Sequence, residues 1–221
     1  MKTTYPKLSI FETFKTKNEQ LTGEAIRQRY IISHLAREDN STLMTRTAIA
    51  QNIAKKNNLL WKNIYSGVFR DLDEILIPLG IVAEAGRLPL KRGPKALQEK
   101  GIPYYQLTPK GLLAVLSIDD FEQKESILNE FLSKAEIKEK EFAETIKTLV
   151  KVSPKFTYSM FEIHVKAFCE GKLKNLLPFS VAEFQEISEN IFATQNELLR
   201  GFATLPKSKK TDILNFFSKF T

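Results

Sequence analysis

The chain contains few residues that could act as a nucleophile or a general base. His34, His164 and Cys169 are its only histidines and its only cysteine. On a helix, the five-residue spacing of His164 and Cys169 turns their side chains about 140° apart, so they cannot form a catalytic dyad. No Glu-x-x-His motif and no glycine-rich phosphate-binding motif occurs. We therefore expect that the chain is not an enzyme, and we predict that it has neither a metal site nor a cofactor.

A different chemistry is predicted for one face of a helix near residues 60–79. Its apolar side chains, turned inward, are Ile64, Val68, Leu72, Ile75 and Leu79. The opposite face, within about 100°, then carries Lys62, Asn63, Ser66 and Arg70. Asparagine can read adenine, arginine can read guanine, and lysine or serine can bind phosphate. The alternative is an ordinary amphipathic helix with a solvated polar face.

Two neighbouring features limit how this face could meet a nucleic acid. Gly67 leaves room for close approach on one flank. Asp73 and Glu74 lie on or near the same face toward its C-terminal end, where they would repel phosphate. We therefore expect only the first two turns of the helix to insert into a groove.

A loop after this helix carries further cations. It contains one acid, Glu99, and the cations Lys91, Arg92, Lys95 and Lys100. Such a loop could neutralise phosphates, and Arg92 beside Gly93 could enter a minor groove. A flexible, solvated loop is the alternative. Additional backbone contacts are expected from Arg46, Lys55, Lys56 and Lys110.

The elements that must position these residues follow a recognisable order. Helical periodicity predicts helices over 23–38, from Thr45 to about 56, and over 60–79. Strands are predicted over 81–85 and 102–107, with the basic loop between them. Thr108 and Pro109 then begin another helix as N-cap and first helical residue.

This order is that of a winged helix domain, and two segments carry the resemblance. Residues 79–116, LGIVAEAGRLPLKRGPKALQEKGIPYYQLTPKGLLAVL, resemble a wing and its following helix. Residues 43–57, LMTRTAIAQNIAKKN, resemble the second helix of such domains. The chain resembles the multiple-antibiotic-resistance-regulator (MarR) and PadR-like transcription regulators over residues 23–117. The resemblance implies a third helix in the major groove of DNA, a wing on the backbone or in the minor groove, and flanking helices that form a dimer.

The C-terminal half is predicted to be helical throughout. Apolar residues at alternating spacings of three and four form a seam that typically packs against a partner helix. Its residues are Phe184, Ile187, Ile191, Thr194 and Leu198, and Phe217 adds to it from a last helix. We predict dimerisation through Phe184, Ile187, Ile191, Leu198 and Phe217, although packing within one chain fits the same pattern.

Composition and charge define the expected organisation. The 221 residues include 33 Lys and Arg against 26 Asp and Glu, a net charge of +7. Residues 1–118 hold a net +8 and residues 119–221 a net −1, so the excess positive charge lies in the first half. We expect a mostly α protein: an N-terminal arm or short helix over 1–20, a winged helix domain over 21–118, and a helical dimerisation or partner-binding region over 119–221. The single cysteine and the absence of a signal peptide or membrane span predict a cytoplasmic protein with no membrane partner.

Three functions remain open from the residues. The first is a sequence-specific regulator of transcription that binds double-stranded DNA as a homodimer. The second is a replication initiator or chromatin-associated protein with loose specificity. The third is a winged helix scaffold for protein–protein contact, which the acids Asp73 and Glu74 would suit. The sequence is silent on a small-molecule effector.

Overall fold

The described part of the chain is mostly helical and contains one two-stranded antiparallel sheet, which confirms the expectation of a mostly α protein. The computed structural model describes residues 6–16, 20–56, 61–90, 100–119, 121–135, 140–179 and 181–218. Two compact units are present, Met1–Ser180 and Val181–Thr221. The boundary expected at residues 118 and 119 falls inside the first unit.

Three helices open the first unit, and side-chain caps fix where they begin. They are α1 (Gly23–Arg37), α2 (Arg46–Lys56) and α3 (Trp61–Arg70). The Thr22 hydroxyl accepts a hydrogen bond from the Ala25 N–H at 3.1 Å, and Thr45 accepts one from Ala48 at 3.3 Å. Each hydroxyl satisfies one of the donors that a helix N-terminus leaves free. The cap predicted at Thr45 is therefore confirmed.

A π-helical segment, Asp71–Leu76, continues directly from α3. The Ile77 N–H donates to the Leu72 carbonyl, five residues back, at 2.9 Å. Because a π-turn holds more residues than an α-turn, the inward position after Leu72 moves from Ile75 to Leu76. Leu72 and Leu76 are fully buried, whereas Ile75 is only half-buried, as are Ile64 and Leu79 of the predicted apolar face. Gly80 ends the turn that follows, with φ of 68°.

The hairpin pairs β1 (Val82–Leu88) with β2 (Ile102–Leu107). The register runs from Val82 opposite Leu107 to Leu88 opposite Ile102, with a bulge between Glu84 and Gly86. An isolated antiparallel β-bridge lies beside β2: Thr45 bridges Tyr104, and the Tyr105 N–H donates to the Met44 carbonyl at 3.1 Å. The segment before α2 is thereby joined to the hairpin.

The N-terminal segment, where it is described, contains turns and one antiparallel β-bridge between Thr13 and Leu21. Leu8 and Ile10 are buried. The Ser9 N–H donates to Gln28 Oε1 at 2.9 Å, and Arg29 Nε donates to the Ile10 carbonyl at 2.6 Å. Residues 6–16 contain no helix and are anchored to α1, so over these residues the segment is neither a free arm nor a short helix.

Four more helices follow in the described part of the first unit. They are α4 (Pro109–Leu116), α5 (Lys124–Lys134), α6 (Lys140–Val152) and α7 (Pro154–Cys169). Thr108 caps α4 through a hydrogen bond from Gly111 at 3.3 Å, as predicted. Phe131, Phe161 and Phe179 form a fully buried cluster with ring centroids 5.3–6.1 Å apart. Because α5 and α7 both pack on α4, these helices extend the core of the helices before them.

The second unit consists of α8 (Val181–Thr204) and α9 (Lys207–Phe217). No residue of α9 is buried. Several large apolar side chains of this unit are at least 49% exposed, namely Leu198, Leu199, Leu214, Phe216 and Phe217. Among the helices described in the two units, none is both long enough and apolar enough to cross a membrane.

Candidate nucleic-acid interface

The outer face of α3 is the surface on which the sequence predicted base contacts. Val68 is fully buried, whereas Ser66, turned away from the core, is exposed. Arg70 lies one turn beyond Ser66, and its side chain is 51% exposed. Lys62 and Asn63 belong to the first turn of α3, but their side chains lie outside the described residues. The described part of this face thus presents a small hydroxyl and a guanidinium.

One flank of this face is closed by α1 through a buried ion pair. Arg27 binds both carboxylate oxygens of Asp71, with Nη2 to Oδ1 at 3.1 Å and Nε to Oδ2 as the second bond. The Asp71 side chain is completely buried, and the Arg27 side chain is 20% exposed. Burial raises the pKa of the Asp71 carboxyl, and the hydrogen bond and charge of Arg27 oppose that rise. The pair ties the π-helical segment to α1.

Gly67 has its role inside the protein. A Cβ placed there would lie 2.9 Å from Arg27 Nε and 3.0 Å from Cζ. The glycine therefore lets the Arg27 side chain cross α3 and reach Asp71. The space predicted for an approaching ligand on this flank is occupied by Arg27.

Arg70 is held by the same flank. Its Nη2 lies 3.2 Å from a Glu24 carboxylate oxygen and 3.8 Å from Asp71 Oδ1. Glu24 belongs to the first turn of α1. The base contact predicted for Arg70 stays a prediction, but in the free chain this guanidinium is already paired with acids of the protein.

The other flank is formed by Arg46, the first residue of α2. Its guanidinium lies 4.8 Å from the centroid of the Phe69 ring and 5.1 Å from that of Tyr105. It also forms an ion pair with Asp73 of the π-helical segment. The Arg46 side chain is 26% exposed and that of Asp73 is 40% exposed. Arg46 is thus fixed between α3 and β2 by two rings and one carboxylate.

The remaining predicted cations lie around these flanks. Lys55 and Lys56 are exposed in the last turn of α2, Lys100 is exposed just before β2, and Lys110 is half-buried in α4. Arg87 braces the hairpin, because Nε lies 2.7 Å from Glu84 and Nη1 donates to the Lys100 carbonyl at 3.3 Å. The loop cations Lys91, Arg92 and Lys95 lie outside the described residues.

The predicted dimerisation residues whose side chains are described are half-buried or exposed. Leu198 is 50% exposed and Phe217 is 49% exposed, while Ile187 is half-buried. The side chains of Phe184 and Ile191 lie outside the described residues. The described members of the seam therefore leave apolar surface open on the second unit.

The side chains of His34, His164 and Cys169 are all buried. His164 is fully buried, with Nε2 3.1 Å from the Leu176 carbonyl and its ring 4.9 Å from that of Phe179. His34 Nε2 lies 2.9 Å from the Leu43 carbonyl. Burial lowers the pKa of His164 and raises the pKa of the Cys169 thiol to about 12, so this thiol stays protonated at neutral pH.

Sequence reasoning missed the ion pairs of Arg27 and Arg46. One signal was present: Asp71 precedes Leu72 and follows Val68 by three residues, so it lies near the apolar stripe of the helix. A carboxylate in that position requires a buried partner.

Comparison of the chain with models of known protein families, with curated proteins and with solved structures finds no match.

Proposed function

We propose that this chain is a winged helix protein that binds double-stranded DNA and regulates transcription as a homodimer. The observation that carries the proposal is the isolated β-bridge between Thr45 and β2, with the hydrogen bond from Tyr105 to Met44, directly before α2 and α3. It joins the helix pair to the hairpin, and the elements follow the order helix, β-bridge, two helices, hairpin, helix. In DNA-binding winged helices this surface meets the duplex.

The distribution of charge supports the same surface. Residues 1–118 carry a net +8, and the described cations with no carboxylate partner in the described ranges include Lys55, Lys56, Lys100 and Lys110. In the proposed complex these lysines contact phosphates, with the loop cations Lys91, Arg92 and Lys95. The first two turns of α3, with Lys62, Asn63 and Ser66, enter the major groove. Phosphate contacts position the protein, and base contacts specify the sequence.

The second unit supports the dimer. Five described apolar side chains of α8 and α9 are at least 49% exposed. Association of two chains could bury this apolar surface. In the proposed dimer two copies of α8 and α9 pack together, and the two α3 helices lie about one DNA turn apart.

The test is fluorescence anisotropy with a labelled random duplex over a series of salt concentrations. We expect binding at ~50 mM salt that weakens steeply as salt rises, because each neutralised phosphate releases counterions. Lys55→Ala with Lys56→Ala should weaken binding to every duplex. The matched control is Lys151→Ala with Lys155→Ala, which removes the same charge from exposed positions at the junction of α6 and α7. Absence of binding to any duplex at low salt, or equal losses from both pairs of substitutions, would overturn the proposal.

Selection of bound sequences from random DNA separates regulators from loosely specific proteins. A palindromic motif supports a dimeric regulator, whereas no enriched motif favours a replication initiator or a chromatin-associated protein. A scaffold for protein contacts has its own supporting observation, since Asp73 and Glu74 are exposed beside α3. That function predicts no DNA binding in the anisotropy experiment.

A further inference from the structure

The ion pair between Arg46 and Asp73 lies on the surface proposed to meet DNA. We propose that the Asp73 carboxylate competes with DNA phosphate for Arg46, and that it thereby limits affinity for duplexes of any sequence. The inference rests on the proposed function, because it concerns the strength of the same contact. It assigns Asp73 a part in setting how tightly the chain holds DNA that lacks its preferred sequence.

The first argument is that Arg46 stays in place without its carboxylate. The Phe69 and Tyr105 rings, from α3 and β2, lie 4.8 and 5.1 Å from its guanidinium carbon. Contacts of this kind with aromatic faces stabilise a cation independently of any acid. Removal of Asp73 would therefore leave a guanidinium already ordered for another acceptor.

The second argument is that carboxylate and phosphate offer arginine the same chemistry. Both are anions whose oxygens accept charge-assisted hydrogen bonds from the guanidinium fork. Asp73 is 40% exposed, so solvent and other anions can reach the pair. Arg46 can thus exchange one oxygen acceptor for the other at the surface of the chain.

The third argument concerns the energy of that exchange. A free arginine that meets a phosphate gains a new ion pair, whereas Arg46 must first give up Asp73. The carboxylate released by the exchange then attracts a cation from solution, which offsets the cation released by the DNA. The contact made by Arg46 therefore adds less to affinity and less to the salt dependence than that of an unpaired arginine.

Glu74 supplies a matched comparison. It is the next residue of the same π-helical segment and is also exposed. Within the described parts of the chain it forms no ion pair. Neutralisation of Glu74 changes the net charge by the same amount as neutralisation of Asp73, but it frees no arginine.

The experiment measures duplex affinity and its salt dependence by fluorescence anisotropy, with a labelled random duplex as the probe. We expect Asp73→Asn to bind about threefold more tightly than the wild type, within the range that exposed ion pairs allow. The plot of log K against log salt should steepen by about 0.9, the increment for one added phosphate contact. Glu74→Gln should change affinity less and leave the slope unchanged.

A double-mutant cycle links the effect to Arg46. In an Arg46→Gln background, Asp73→Asn should give no more than the change that Glu74→Gln gives. Thermal melts verify that each variant is folded, and Asp73→Ser provides a second neutral replacement at this exposed position.

The outcomes separate this inference from the proposed function. If neither the wild type nor Asp73→Asn binds duplex at low salt, the proposed function fails. If the wild type binds and Asp73→Asn matches Glu74→Gln in affinity and slope, only the competition is refuted. An effect of Asp73→Asn that persists in the Arg46→Gln background also refutes it.

Discussion

Loss of the Arg27 guanidinium should destabilise the first unit far more than loss of a surface ion pair. In Arg27→Ala, the completely buried Asp71 carboxylate loses both hydrogen bonds from its partner. Removal of one member of a buried ion pair costs about 3–5 kcal/mol. Because Arg27 is 20% exposed and Arg70 remains 3.8 Å from Asp71, we expect a loss near the lower limit, about 3 kcal/mol.

Thermal unfolding followed by circular dichroism measures this loss. In a unit of this size, each kcal/mol lowers Tm by about 2–4 °C, so Arg27→Ala should lower it by about 6–12 °C. The control is Arg70→Ala, whose pair with Glu24 is 51% and 32% exposed and should contribute no more than about 1 kcal/mol. Equal decreases in Tm for the two variants would refute the assignment of Arg27 and Asp71 as the main clamp.

The pH dependence of the stability lost in Arg27→Ala tests whether this loss is electrostatic. Burial raises the pKa of Asp71 above 3.8, so the folded chain keeps this proton to a higher pH than the unfolded chain does. Between the two pKa values the folded state binds more protons, and the free energy of unfolding therefore falls as pH rises. Removal of Arg27 raises the folded-state pKa further and widens this window. The difference in free energy of unfolding between the wild type and Arg27→Ala should be smallest near pH 3.8 and should grow toward neutral pH. A deficit that does not change with pH would contradict this origin.

Gly67 provides an internal check on the same geometry. In the wild-type background, the Cβ of Gly67→Ala lies 2.9 Å from Arg27 Nε and should displace the guanidinium from Asp71, which lowers Tm. In the Arg27→Ala background this obstruction is gone, and alanine should stabilise the helix by about 1 kcal/mol relative to glycine. The substitution should therefore change sign between the two backgrounds. A decrease in Tm in both would show that Arg27 is not what Gly67 accommodates.

Two other predictions address the buried histidine and the second unit. Burial lowers the pKa of His164 from 6.5, so the unfolded chain takes up a proton that the folded chain does not. The free energy of unfolding should accordingly fall as pH drops below 6.5, and His164→Gln should flatten that dependence in denaturation curves between pH 5 and 7.5. Phe217→Lys should lower the mass measured by light scattering from dimer to monomer, whereas Asn215→Lys, about 160° away around α9, should leave it unchanged. A wild-type monomer at micromolar concentration would remove the dimer from the proposal.

The parts of the fold that follow from local sequence could be predicted. The caps at Thr45 and Thr108 depend on interactions within a few residues, so residue type and spacing were sufficient to predict them. The π-helical segment could not be predicted in the same way. Apolar residues occur at both position 75 and position 76, and only packing decides which of them turns inward.

The ion pairs that flank α3 could not be predicted from the sequence, for a different physical reason. Arg27 and Asp71 are 44 residues apart, and Arg46 and Asp73 are 27 apart. Periodicity tells which side of a helix is polar, but it does not tell which opposite charges from other helices will meet there. Only the position of Asp71 beside the apolar stripe signalled a partner, and it did not identify Arg27.

These pairs change which residues can supply specificity in the proposed complex. Before binding, Arg70 is engaged by Glu24 and Arg46 by Asp73, so each must leave a carboxylate before it meets DNA. The exposed lysines of α2 have no such exchange to make, and lysine contacts to phosphate carry no sequence information. Discrimination between sequences therefore falls on the first two turns of α3, where Asn63 and Ser66 precede the clamped end of the helix. In the proposed complex, the ion pairs at that end tie α3 and the π-helical segment to α1 and α2, and such anchoring favours precise placement of the side chains that read bases.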